Sequence, residues 1–241
     1  MGTIVSLSCD AAAEPDLVVS RVRDTFAHFD DVFSLYKPES ELSRIGSNRM
    51  SLVDASDEVR DVYSEAIEWR AATNGEFSPH RPDGVIDLSG IVKALAMNRA
   101  GEQLNFAGAK DWCLNVGGDV LVSGLEGSSE PWNIGITDPL DRGTLITSAR
   151  LAAPRTACAT SGSSERGDHI WTAGATPTQF IQATVIANDI ITADVLATAI
   201  IAGGAAALDR ICGTWDVDAM TTDLDGNFRM TPGFAKIPAA V

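Results

Sequence analysis

From Ala193 to Ala207 the chain reads Ala-Asp-Val-Leu-Ala-Thr-Ala-Ile-Ile-Ala-Gly-Gly-Ala-Ala-Ala, an apolar stretch with a single charge, Asp194. Any fold has to be organised around it. The pattern predicts a helix that opens at Thr192, placed to cap the orphan amides, with Asp194 in its first turn. Residues four apart share a helix face, so Asp194 and Thr198 project side by side. A hard carboxylate beside a hydroxyl makes a partial shell for a small oxygen-seeking cation such as Mg²⁺. The same residues also have a plainer reading. An Asp near a helix start is favoured by the helix dipole alone, and Thr often packs or back-bonds. This stretch alone leaves both open.

The 241 residues form one large domain or two intimately packed lobes, long enough for a substantial core. A formal charge of −15 argues against general nucleic-acid binding, which needs a positive footprint to displace phosphate counterions. A localised basic site for a small anion remains compatible with that field. Cys9, Cys113, Cys158 and Cys212 are scattered without a C-x-x-C pair, which fits reduced, mostly buried thiols rather than a zinc site or a disulfide framework. The opening residues carry no basic n-region and no long apolar run. Asp194 and Asp209 bracket the alanine-rich segment too tightly for a span of roughly 20 residues. The expectation is a cytoplasmic protein with no membrane segment.

Along the chain, residues 2–9 alternate as a strand. Val18, Val22, Phe26, Phe29 and Phe33 recur at three and four, predicting an amphipathic helix from Glu14 to Phe33. Pro38 breaks that helix, and Ser40 can cap a short turn unless the segment is only a surface connector. A second helix runs from Ser56 to Asn74, acidic at its start and stopped by Gly75. After a two-proline connector, residues 85–100 read as a short strand, a Ser89-Gly90 bend and a helix. Such a bend exposes amides that suit an anion, with Lys93 one turn in and able to reach a phosphate, or it is mere helix entry. Gly117-Gly118 breaks a pair of strands, either as a tight hairpin turn or as a close approach to a ligand. Strands follow at Trp132–Thr137, at Leu145–Ala153 and into the hydroxyl run Thr160-Ser161, which can line a phosphate site or be a polar loop. His169 is one of three histidines, and a lone histidine serves as readily in structure as in catalysis. Gln179–Ala187 is another strand, and Asp225-Gly226 marks a final hairpin. Antiparallel hairpins mixed with helices predict an α+β fold.

These segments, in this order, resemble the ApbE family, the FAD:protein FMN transferases once described as thiamine-biosynthesis lipoproteins. Met1-Gly2-Thr3 is similar to the family's opening M-G-T, and Tyr36 to Ile45 to its Y-x-P-x-S-E-L-S-R stretch. Asp87 to Lys93 resembles D-L-G-G/A-I-A-K, and Asn115 to Asp119 resembles N-x-G-G-D. Ala159 to Gly162 matches A-T-S-G, His169-Ile170 the start of H-I-I-D-P, and Asp194 to Thr198 the D-A-L-S-T metal motif.

The resemblance implies one α+β, T-fold-related domain over 1–241, with antiparallel and mixed sheets and packed helices. It implies that Asp194, Thr198 and the backbone carbonyl of Gly90 hold Mg²⁺. It implies that Met1, Tyr36, Phe77, Asp87, Lys93, Gly117, Gly118, Asp119, Thr160, Ser161 and Ile170 bind FAD. In the family reaction a threonine hydroxyl of an acceptor flavoprotein attacks the FMN-side phosphorus of FAD, and AMP leaves. Such chemistry rests mainly on positioning and charge neutralisation, which Mg²⁺ and Lys93 supply, with His169 a candidate base. The chain departs from the family where His169-Ile170 continues Trp171-Thr172-Ala173-Gly174, where Ala197 and Asn98 replace a Ser and an Asp, and in the short insertion between Phe77 and Asp87. Hydrolysis of FAD to FMN and AMP, or flavin binding without chemistry, are the alternatives to transfer.

Overall fold

The structure, a computed structural model, describes residues 2–9, 15–141, 143–162 and 179–235. Met1, His169 and Ile170 lie outside them. β1 (Val5–Cys9) is followed by α1 (Pro15–Phe33), α2 (Glu41–Gly46), a 3₁₀ turn at Leu52–Asp54 and α3 (Asp57–Ala72). In α1 the residues at three-and-four spacing, Val18, Val22, Phe29 and Phe33, are buried. Ser40 caps α2 by accepting the Ser43 N–H at 3.0 Å, and Ser56 caps α3 through the Val59 N–H at 3.3 Å. The connector after Pro38 therefore is a helix entry. α3 ends where Asn74 and Gly75 turn to φ of 54° and 85°, the left-handed exit that glycine adopts without steric penalty.

α4 (Ser89–Phe106) comes next. The strand expected just before it is absent: Ile86 makes only an isolated bridge to His80. Pro79 and Pro82 remove ladder donors from the segment that would pair. Nor do Ser89 and Gly90 form a separate bend; they are the first two residues of α4.

β2 (Trp112–Val116) and β3 (Asp119–Ser123) form a hairpin across Gly117-Gly118, whose φ values are 62° and 99°. A two-residue turn with both angles positive is the form that matches strand twist, and it favours glycine at both places. Then follow β4 (Trp132–Thr137), β5 (Leu145–Leu151), β6 (Ala157–Gly162), β7 (Phe180–Ala187), α5 (Ile190–Thr214), β8 (Asp218–Asp223), β9 (Phe228–Met230) and α6 (Pro232–Ala235). A seven-stranded sheet runs β1-β2-β3-β6-β7-β8-β9, and β4 and β5 form a separate two-stranded ribbon. Its pairings are antiparallel throughout, so the α+β expectation holds.

Side chains alternate across the sheet with period two. Leu121, Ala157, Ala159, Ala183, Val185 and Ala219 face the helices in the main core. Val120, Val122, Cys158, Ile186 and Met220 face the other way, against Trp132, Ile136, Ala149 and Leu151 of the ribbon. α5 lies on β6 and β7. By length and composition alone it could cross a membrane, contrary to the sequence reading, yet 61% of its apolar stretch is buried inside the protein. Residue Gly204, at φ 63° and ψ −148°, interrupts it. The Ala205 N–H freed there donates to Gln179 Oε1 at 2.8 Å.

Candidate active site

α5 begins two residues before the expected cap. Asp189 is the N-cap: its Oδ1 accepts the Thr192 N–H and its Oδ2 the Thr192 hydroxyl, both at 2.8 Å. Asp is at least as good a cap as Thr, and here it satisfies both groups of Thr192 at once. Asp194 therefore sits past the first turn, where the dipole explanation for it weakens.

Asp194 is only 3% exposed, and a carboxylate so buried needs a counter-charge. Lys93, on α4, provides it: Nζ lies 3.4 Å from Asp194 Oδ1. The same ammonium is ion-paired with Asp119, which opens β3 and is 1% exposed. Asp119 Oδ1 also accepts the Thr160 N–H at 2.9 Å. Next to this group, Ser161 Oγ is 3.1 Å from Thr198 Oγ1. Two strands and two helices thus bring Lys93, Asp119, Asp194, Ser161 and Thr198 to one place, on the helix-covered face of the sheet. Among the described residues, two carboxylates face one ammonium there.

That donor set suits Mg²⁺. Every candidate ligand is a hard oxygen, and Mg²⁺ uses one or two carboxylates and keeps its other positions for water and phosphate. Among the described residues no three His, Cys, Asp or Glu side chains gather into a metal cage, so a zinc-type site is not built here. Gly90, the expected carbonyl donor, lies in the first turn of α4, one turn before Lys93. The Phe77 ring lies against it, so that a Cβ at Gly90 would come within 3.0 Å of Phe77 Cε2.

The other expected flavin residues lie on several elements. Asp87 Oδ1 accepts the Ser89 N–H at 2.9 Å and so secures the start of α4. The Thr160 side chain points to the opposite sheet face, 2.9 Å from Thr184 Oγ1; only its amide reaches the cluster. At the β2–β3 turn, the Gly117 N–H donates to the Ile4 carbonyl at 3.1 Å, bringing the N-terminal residues to the hairpin. Tyr36 is 83% exposed on the α1–α2 connector. Beside that connector is a cavity of about 370 Å³ lined by Leu35, Pro38, Ser43, Arg49, Arg81 and Val85, its two guanidiniums ion-paired with Glu39 and Asp83. The pairing of Asp119 with Lys93 and the cap at Asp189 were not foreseen from sequence. The Asn188-Asp189 pair ahead of the apolar run was the available signal for the cap.

A sequence model of the ApbE family matches residues 1–81 and 78–221. The chain belongs to the ApbE family. It is 40% identical over 81 residues to the FAD:protein FMN transferase of Rhodobacter capsulatus, a match covering 34% of this chain and 15% of that protein. To the FAD:protein FMN transferase of Haemophilus influenzae it is 28% identical over 182 residues, covering 54% of this chain and 53% of that protein. These matches take in about half or less of the length of the curated relatives. Among solved structures, the ApbE protein of Thermotoga maritima superposes with a TM-score of 0.80 at 20% identity, over 99% of this chain and 97% of that one. The flavin transferase ApbE of Vibrio cholerae gives 0.75 at 21%, over 99% and 96%. At such identities the likeness establishes the fold.

Proposed function

We propose that this chain is an FAD:protein FMN transferase, working as one unit over residues 1–241. The observation that carries this reading is the buried Lys93, Asp119 and Asp194 group beside Ser161 and Thr198. It is an oxygen-rich centre in a fold shared with the flavin transferase ApbE of Vibrio cholerae. Asp194, Thr198 and the Gly90 carbonyl would hold Mg²⁺, and Tyr36, Asp87, Gly117, Gly118 and Ser161 would border FAD. Bound there, Mg²⁺ supplies neutralisation of the pyrophosphate charge. The chain's own residues orient FAD and the incoming hydroxyl. A bond forms between the threonine oxygen of an acceptor flavoprotein and the FMN-side phosphorus. The pyrophosphate P–O bond breaks with its electron pair leaving on AMP, and the hydroxyl proton passes to His169. Cys9, Cys113, Cys158 and Cys212 outside disulfides accord with action in the cytoplasm.

The test is incubation with FAD, Mg²⁺ and acceptor flavoproteins. Transfer gives one AMP per covalently fluorescent acceptor. AMP without a labelled acceptor identifies an FAD pyrophosphatase, and no AMP identifies a binding protein.

A further inference from the structure

We propose that Glu76 is a positioning residue for FAD: its ion pair with Arg210 anchors to α5 the segment that seats Phe77 against the start of α4. This rests on the reading that FAD binds beside that start, where Asp87 and Gly90 lie. The pair joins residues 134 positions apart in the chain. Glu76 belongs to the connector after α3, and Arg210 to the last turns of α5.

α5 is shaped to receive Glu76. A Cβ at Gly203 would lie 2.6 Å from Glu76 Oε1 and 2.7 Å from Ala207 Cβ, so the carboxylate occupies room that glycine leaves. Glu76 Oε2 accepts from the Arg210 guanidinium. The two side chains are only 17% and 32% exposed, and charges withdrawn from water in this way are screened less than a surface pair. Arg210 Nε is buried with no hydrogen-bond partner. Removing Glu76 takes away the carboxylate that offsets this desolvation.

From Glu76 the chain passes directly to Phe77. The Phe77 N–H donates to the Thr73 hydroxyl at 3.2 Å, and the Glu76 N–H to the Thr73 carbonyl at 3.1 Å. The end of α3 thus holds the backbone of this step, while α5 holds its carboxylate. Held from both sides, the buried Phe77 ring lies against Gly90, the second residue of α4. Loss of the ion pair releases one of the two ties, and the ring can then withdraw from the first turn of α4.

Equilibrium binding of FAD, read by flavin fluorescence in the absence of divalent metal, tests this alongside urea melts of the same preparations. Glu76→Ala and Arg210→Ala are each expected to raise the Kd for FAD about 2–10-fold, the scale of coupling between residues in contact. The double variant is expected to bind no more weakly than either single one, because both act through one pair. Glu76→Gln keeps the shape and an acceptor for Arg210 without the charge, and is expected to fall between wild type and Glu76→Ala. Ser56→Ala removes the cap of α3; it should lower the urea midpoint and leave the Kd for FAD unchanged.

The proposal alone is overturned if wild type binds FAD and Glu76→Ala binds it equally well, or if the double variant loses the product of the two single effects. It is overturned too if Ser56→Ala weakens FAD binding as much as Glu76→Ala at a matched loss of stability, which would make the pair a stabilising contact only. Wild-type protein that binds no FAD removes the flavin reading and this proposal together.

Discussion

Ser161 Oγ lies 3.1 Å from Thr198 Oγ1, so the end of β6 is hydrogen-bonded to the hydroxyl that α5 offers beside Asp194. Either hydroxyl can donate, and the bond ties the Thr198 side chain to β6. Ser161→Ala is expected to weaken Mn²⁺ or Mg²⁺ binding several-fold, with a stability loss of about 1 kcal/mol, typical of one hydrogen bond. Calorimetry and thermal melting on one preparation check both figures. A stability loss with unaltered metal affinity would reduce Ser161 to packing.

Asp194→Asn should abolish metal-dependent turnover without lowering the melting temperature appreciably. The reason lies in the charges: with Asp194 neutral, Lys93 and Asp119 remain a balanced buried pair. If Asp194 acted only through the helix dipole, the change would instead lose about 0.3–1 kcal/mol and spare activity. Activity and melting measured together separate these cases.

Gly90→Ala drives a methyl group to within 3.0 Å of Phe77 Cε2. Phe77 is 2% exposed and has little room to retreat, so a loss of about 1–3 kcal/mol is expected, as for other overpacked cores. The first turn of α4 would shift with it, and metal affinity should fall in parallel. Adding Phe77→Leu should restore stability in denaturant melts; a failure to do so would place the strain elsewhere.

Burial pushes the Cys158 thiol up from 9.0 to about 12, with the Asp119 charge adding to it. Burial does the same to Cys113, up to about 11. Both hold their protons more tightly folded than unfolded. The stability they contribute is complete below pH 9 and is lost as pH rises through 11 and 12. Denaturant melts at pH 8 and pH 10.5 should therefore show a lower midpoint at the higher pH. At pH 8, a thiol reagent should spare Cys158 in the native protein and count all four thiols after unfolding.

Much of this arrangement was legible in the sequence because it is local. Val18, Val22, Phe29 and Phe33 declare a helix face by spacing, Ser40 and Ser56 declare caps, and Gly117-Gly118 declares a turn. Asp194 and Thr198 are four apart on one helix and so could be read as a pair. The partnership of Asp119 with Lys93 could not be. It depends on β3 lying under the start of α4, a tertiary fact with no periodic trace. Helix entry at Asp189 was misread because Thr192 also has cap chemistry, and the choice between them turns on one hydrogen-bond geometry. The strand expected at 85–88 failed for a different reason: Val85, Ile86 and Leu88 are apolar, but neighbouring prolines left the segment with one isolated bridge.

The hydrogen bonds at the centre join residues far apart in the chain: Asp119 to Thr160 across 41 positions and Ser161 to Thr198 across 37. Closing such loops sacrifices chain entropy before any contact rewards it. During refolding, the helical signal of α1, α3 and α4 should therefore return ahead of the centre, which awaits the docking of β6 and α5. Metal uptake would be the last property regained, and its rate would report completion of the sheet rather than formation of the helices.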